Sequence, residues 1–200
     1  MPRCGLSREE VLKAAAELIE ESGLDRFSMG ELARRLNVKA ASLYNHVAGI
    51  DELMDEVGLL AIGRLAQAEG AAIEAKRADE ALFALAEAYR SFARSHYELY
   101  RVIMGLARRD DCALKRGADE MLEPIMKVLA TYRLGDEQRY HWQRVLRGVM
   151  VGFAVHERAG GFSHLPVDEN ESYRIAIQCV ADGLNRAGEG TNEDERADTV

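Results

Sequence analysis

The stretch ELARRLNVKAASLYNHV, residues 31–47, decides how this chain is to be read. Leu32 and Leu36 lie four apart, the spacing of one helical face, and Leu43 and Val47 repeat that spacing. Between the two runs stands Asn37, a residue that tolerates left-handed backbone better than most and can stop a helix abruptly. The second run, from about Ala40 to Val47, turns Leu43 and Val47 inward and leaves Ala40, Ala41, Tyr44 and Asn45 on an outward face. Two short helices across a tight turn form a helix-turn-helix. Periodicity alone fits a helical hairpin that merely packs equally well.

Outward from this stretch the chain reads as helix throughout. Ser7-Arg8-Glu9-Glu10 has the form of a capping box, and Val11, Leu12, Ala15, Leu18 and Ile19 continue it as one apolar stripe that Gly23 ends. Ser28-Met29-Gly30-Glu31 is a second capping box, opening the helix of Leu32 and Leu36. Downstream, long helices are expected from Ile50 to about Lys76 and from Asp79 to Arg108, the latter with an apolar face of Leu82, Leu85, Ala86, Tyr89, Phe92, Ala93 and Tyr100. Three more are expected from about Lys115 to Thr131, with Pro124 as a kink, from Asp136 to about Ala159, and from Glu171 to Arg186. The predicted class is therefore all-α: a three-helix domain over 1–49, a helical domain over 50–187, and a disordered acidic tail over 188–200.

Composition supports this and narrows the function. A 48% hydrophobic content is ample for a core, and abundant Ala, Leu, Glu and Arg favour helix. Cys4, Cys112 and Cys179 are odd in number and far apart, so neither a disulfide framework nor a metal site is expected. With no membrane-length apolar run and no signal-peptide pattern, the expected location is the cytoplasm, with no membrane partner. Charge is unevenly spread. Residues 1–50 carry seven Lys/Arg and seven Asp/Glu, so the whole formal charge of -8 sits beyond them. From Arg26 to Val47 four basic residues face one acidic, Glu31, as expected of a surface that meets a polyanion or, equally, of ordinary surface variation.

The stretch FSMGELARRLNVKAASLYNHVAGIDELMDEV, residues 27–57, resembles the DNA-binding domain of the tetracycline-repressor (TetR) family of bacterial regulators. Leu43-Tyr44-Asn45-His46-Val47 matches the family's Leu-Tyr-x-His-Phe/Val core, and Asp51-Glu52-Leu53 continues it. The resemblance implies a double-stranded DNA operator as partner. It puts Ser28, Tyr44 and His46 on backbone phosphates and Lys39, Ala40, Ala41 and Asn45 at the major-groove edge, with Asn45 able to pair with adenine. Arg34 and Arg35 have the charge for flanking phosphates but fit solvated helix positions equally well. Two positions depart from the family: Ile50 stands where a phosphate-holding Lys is usual, and Lys39 where Ser or Thr is usual.

The stretch WQRVLRGVMVGFAVHERAGGFSHLPVDENESYRIAI, residues 142–177, resembles the C-terminal domain of a TetR subgroup named for Trp, His and Gly, although Val151 stands where its His is usual. Gly148 and Gly152 lie four apart on one helix face, with Val145, Val149, Phe153 and Ile177 as apolar area nearby. Such a face suits either close packing within a subunit or, as the resemblance implies, a homodimer interface. The resemblance further implies a small-molecule effector, for which Tyr89, Phe92, Tyr100, Met104, Met121, Met126 and Trp142 are candidate pocket residues, though all suit plain core too. Enzyme chemistry is not expected. His141 and His156 are too far apart on one helix to share a metal, and the chain has no nucleophile elbow, phosphate loop or paired-His zinc motif. No cofactor is expected.

Overall fold

The computed structural model describes the backbone of residues 6–109, 111–164 and 166–197, and side chains among these outside 107–114 and 190–197. The described residues form α1 (Arg8–Ser22), α2 (Met29–Arg35), α3 (Ala40–Leu43), α4 (Ile50–Ile73), α5 (Ala78–Ser95), α6 (Tyr97–Arg109), α7 (Asp111–Leu129), α8 (Asp136–Arg158) and α9 (Glu169–Ala197). A 3-10 turn, Leu24–Arg26, separates α1 from α2, and no strand occurs among the described residues. The all-α class is as expected.

Two compact units emerge, Met1–Arg64 with Ser95–Glu120 and Leu65–Arg94 with Met121–Val200. The first takes in more than residues 1–49 because α6 packs on α1. Its Glu98 carboxylate accepts the Leu24 N–H at 2.9 Å, and Arg101 reaches Asp25 at 2.8 Å. These contacts also explain why the helix expected from Asp79 to Arg108 is divided. At His96 the chain leaves α5, and the His96 ring pairs with Glu20 of α1. The core of this unit is Val11, Ala15, Ile19, Leu32, Leu43, Val47, Leu53, Val57, Leu99 and Leu106, all buried.

The capping box that opens α1 is complete: the Ser7 hydroxyl accepts the Glu10 N–H at 3.1 Å and the Glu10 carboxylate accepts the Ser7 N–H at 2.7 Å. The one at α2 is half of one. Ser28 Oγ accepts the Glu31 N–H at 3.2 Å, but the Glu31 carboxylate pairs with Arg34 instead.

In the second unit α8 packs on α9, where the Trp142 ring lies so close to Gly183 that a Cβ there would collide with it. Arg90, 3% exposed, and Arg94 share the carboxylate of Glu157: Arg90 Nε donates to one oxygen at 2.8 Å and Arg94 Nε to the other at 3.0 Å. The Arg90 guanidinium also lies 4.5 Å from the centre of the Tyr173 ring, and the Tyr173 hydroxyl donates to the Ala86 carbonyl at 2.7 Å. The stretch from Gly188, expected to be disordered, is instead helical as far as Ala197. Gly188 is buried against the Arg133 backbone, and no proline follows to stop the helix. Residues 198–200 lie outside the described residues.

One buried group in this unit is poorly accommodated. Glu69 of α4 is 2% exposed, and its Oε1 has no hydrogen-bond partner. Burial pushes its carboxyl up to about 8 from an ordinary value of 4.5, with the charge of Arg147 pulling the other way. Between those limits the folded protein keeps a proton that the unfolded chain has lost, so stability falls as pH rises from 4.5 towards about 8. Glu69→Gln removes that loss. Urea unfolding is expected to find this variant more stable than wild type at neutral pH, by a few kcal/mol in order of magnitude, and the difference to shrink towards pH 4.5.

Candidate nucleic-acid interface

The helix-turn-helix is built as its spacing dictates. Leu32 and Ala33 of α2 are buried, and the Leu36 and Asn37 amides donate back to Leu32 and Arg34, at 3.0 and 3.1 Å. Asn37 then takes φ 53°, the left-handed turn expected of it, and Val38 N–H donates to the Ala33 carbonyl at 3.0 Å. The second helix is shorter than the expected Ala40 to Val47. Only Ala40–Leu43 is α-helical, and the next turn tightens as Asn45 N–H donates to Ser42 at 3.3 Å and His46 N–H to Leu43 at 2.9 Å.

The tightened turn leaves the side chains where the sequence put them. Leu43 and Val47 are buried; Lys39, Ala40, Ala41, Tyr44 and Asn45 are exposed, Tyr44 by 56%. His46 is half-buried, and Ser28 is exposed at the start of α2. Lys39 occupies the N-cap of α3 and makes no side-chain capping bond.

Charged braces that the sequence reading did not assign hold this segment. Arg8 of α1 donates from Nε to the His46 carbonyl at 3.2 Å and pairs with Glu52 and Glu56 of α4, at 2.9 and 3.3 Å. Glu52 in turn accepts the Ala48 N–H, and these bonds, the amide first and Arg8 second, hold its carboxyl below the usual range. Arg35 pairs with Glu21 and Glu17 of α1, at 2.6 and 3.1 Å, and so ties α2 to α1 rather than pointing freely at a ligand. Arg34 stays far more exposed, beside Glu31. No local pattern marks Arg8 as a brace, because its partners lie 38 to 48 residues away.

The other candidate residues are less concentrated. Tyr100 and Met104 belong to the first unit, and Tyr89, Phe92, Met121, Met126 and Trp142 to the second. Tyr89, Phe92, Tyr100 and Met121 are buried; Met104, Met126 and Trp142 are half-buried. None of the seven lines three clefts of the second unit, of about 460, 320 and 270 Å³. Of the apolar face assigned to α8 and α9, Val145 and Gly148 are exposed and Val149 and Gly152 half-buried. Phe153 packs on Phe162 and Tyr173, at 5.2 and 5.1 Å between ring centres, and Ile177 is 1% exposed. Ile177 is thus core of its own chain and contributes nothing to an outer face; Ile175, two residues earlier and 52% exposed, lies outward.

Glu69 was also missed, although a signal existed: it interrupts the buried stripe of Leu65 and Ile73 at four-residue spacing. No described helix is long and apolar enough to cross a membrane.

Known proteins share this arrangement. Residues 11–57 match the family model for bacterial regulatory proteins of the tetR family, and residues 82–180 match the tetracyclin repressor-like C-terminal domain. YobS of Bacillus subtilis (strain 168), an uncharacterized HTH-type transcriptional regulator, is 27% identical over 184 residues, 92% of this chain and 95% of its own. Among solved structures, a protein of unknown function from Rhodococcus sp. RHA1 superposes with a TM-score of 0.74 at 24% identity, over 92% of this chain and 99% of that one. The Streptomyces coelicolor TetR family protein ActR, in complex with actinorhodin, does so with a TM-score of 0.69 at 21% identity, over 92% and 98%. A helix-turn-helix with Ala40, Ala41, Tyr44 and Asn45 outward, joined to a helical second half that matches its own family model, leaves one conclusion: the chain belongs to the TetR family of bacterial transcriptional regulators.

Proposed function

We propose that this regulator is a homodimeric repressor that binds a palindromic operator and is released from it by a small-molecule effector. The observation that carries the DNA reading is the outward face of α3 and its turn. Small side chains at Ala40 and Ala41 allow close approach to base edges, Lys39 stands at the same edge, Asn45 can make paired hydrogen bonds to adenine, and Tyr44, His46 and Ser28 flank them with phosphate-binding groups. In this reading residues 1–49 bind DNA, and residues 50–187 hold the effector and the dimer contact.

A dimer is supported by what α8 leaves uncovered. His141, Val145, Gly148, Gly152 and Val155 recur at helical spacing; Val145 and Val155 are 47% and 46% exposed. A Cβ placed on Gly148 or Gly152 would meet nothing within 4 Å, so a second helix has room to approach. Ile175 of α9 adds exposed apolar area. Paired by a two-fold axis, two such chains would set their recognition helices about 34 Å apart, one turn of B-DNA. An effector would act through unequal affinity for DNA-competent and incompetent states. ActR, solved with actinorhodin, is a structural neighbour that carries a small molecule.

A second reading, a small-molecule-binding dimer with weakened DNA binding, is favoured by one feature: Ile50, 44% exposed, opens α4 where family members usually place a lysine. Salt dependence separates the two, since phosphate contacts make affinity fall steeply with salt.

Fluorescence-anisotropy titration on duplexes varied one base pair at a time tests the reading. Tyr44→Ala is expected to weaken binding to all of them alike. Asn45→Ala is expected to relax preference at one base position by about 1–3 kcal/mol; equal loss across all base variants would remove its assigned role. For the dimer, Val145→Asp combined with Ile175→Asp is expected to give a folded monomer by light scattering, and an unchanged dimer would place the interface elsewhere.

A further inference from the structure

Three cations of the helix-turn-helix and its supports have carboxylate partners. Arg8 pairs with Glu52 and Glu56, Arg35 with Glu17 and Glu21, and Arg34 with Glu31. Lys39 differs from all of them. It is exposed at the N-cap of α3, directly before the exposed Ala40 and Ala41, and its ammonium has neither an ion partner nor a capping bond.

Local structure gives this lysine nothing to do. A residue at an N-cap usually supplies an oxygen to the free amides of the first turn, and a lysine side chain has no acceptor to supply. Its three N–H donors are therefore free for a partner outside the chain. Duplex DNA offers two kinds, phosphate oxygens and base edges. In helix-turn-helix proteins the N-terminal residues of the second helix contact base edges, whereas phosphates position the protein. The two alanines that follow Lys39 carry nothing beyond Cβ, so no bulky side chain holds the start of α3 away from the groove floor.

The four bases are not equal partners for an ammonium. Guanine presents two adjacent acceptors in the major groove, O6 and N7. Adenine sets an amino donor beside its N7, thymine a methyl group beside its O4, and cytosine shows only its amino donor. A group that donates and never accepts is therefore matched by guanine, as Asn45, which does both, is matched by adenine.

We infer that Lys39 is a specificity-determining residue that reads guanine, its ammonium donating to O6 and N7 of one guanine in each half-site. This rests on the operator-binding reading above and names a base that the operator must contain. Lys39 and Asn45 are six residues apart, about 9 Å of helix rise, against roughly 3.4 Å between stacked base pairs. The guanine and the adenine thus belong to different base pairs of the half-site.

The test uses the full-length protein, a library of random-sequence duplexes, and then duplexes that change the selected site one base pair at a time. Wild type is expected to enrich a half-site that contains a guanine. Lys39→Ala is expected to bind that duplex roughly 5- to 100-fold more weakly, to lose preference at the guanine position alone, and to match wild type on the duplex that lacks the guanine. Lys39→Arg, which keeps the donors, is expected to keep the preference. Lys39→Ser supplies a cap oxygen and is expected to lose the preference with no loss of Tm; a preference lost only together with stability would assign Lys39 a structural role and overturn the inference.

Other results overturn it as well. Equal weakening of every duplex by Lys39→Ala, with a shallower salt dependence, would mark a phosphate contact. Unchanged binding would mark a solvated side chain, and a preference lost at a base other than guanine would mark a different contact. A wild-type half-site without guanine decides against it with no variant needed. If wild type enriches nothing, the operator reading fails and this inference with it; an enriched operator whose guanines are indifferent to Lys39 defeats this inference alone.

Discussion

A recognition helix of one α-turn cannot hold itself. Isolated helices shorter than about 12–15 residues are marginal in water, because nucleation fixes several dihedral angles for a single hydrogen bond. The order of Ala40–Leu43 and the turn after it must therefore come from outside the segment. Part is hydrophobic: Leu43 and Val47 are buried beneath it. The rest is Arg8, whose guanidinium joins the His46 carbonyl to Glu52 and Glu56 and so clamps the end of the reading segment between α1 and α4. Glu56 passes the connection on to Arg116 of α7 at 2.8 Å.

This arrangement explains the peculiar charge of the N-terminal region. Its basic residues, matched in number by acidic ones over residues 1–50, do not simply form a positive patch. Arg8 and Arg35 are braces with carboxylate partners, and Arg34 lies beside Glu31, while the exposed Lys39 caps the helix that carries Ala40 and Ala41. Partly exposed ion pairs of this kind add little stability individually, so their contribution here is to orientation. The second unit shows the opposite economy. The buried Arg90 pairs with Glu157, whose second oxygen takes the exposed Arg94, whereas Glu69 of the same unit has an oxygen that nothing satisfies. Two buried acids in one unit, one doubly paired and the other not, differ in a way that packing alone does not require.

The buried and outward sides of α3 were legible from residues 31–47 because that information is local. Four-residue spacing fixes which side of α3 is buried, and Asn37 fixes where the chain turns. What eluded the sequence depends on distant partners. The break at His96 follows from Glu20 on another helix, the role of Arg8 from residues on α4, and the continuation of α9 beyond Gly188 from the backbone of Arg133. Periodicity placed Ile177 among apolar neighbours but could not tell an inner face from an outer one two residues away. For the aromatic and methionine residues, hydrophobic character says that a residue is buried and not with whom.

The most direct measurement of the central claim is selection of bound sequences from random DNA by the purified protein at near-physiological salt. The account predicts an enriched palindrome whose half-sites are spaced by about one helical turn. Recovery of no sequence above background, from protein shown to be folded and dimeric, would contradict it.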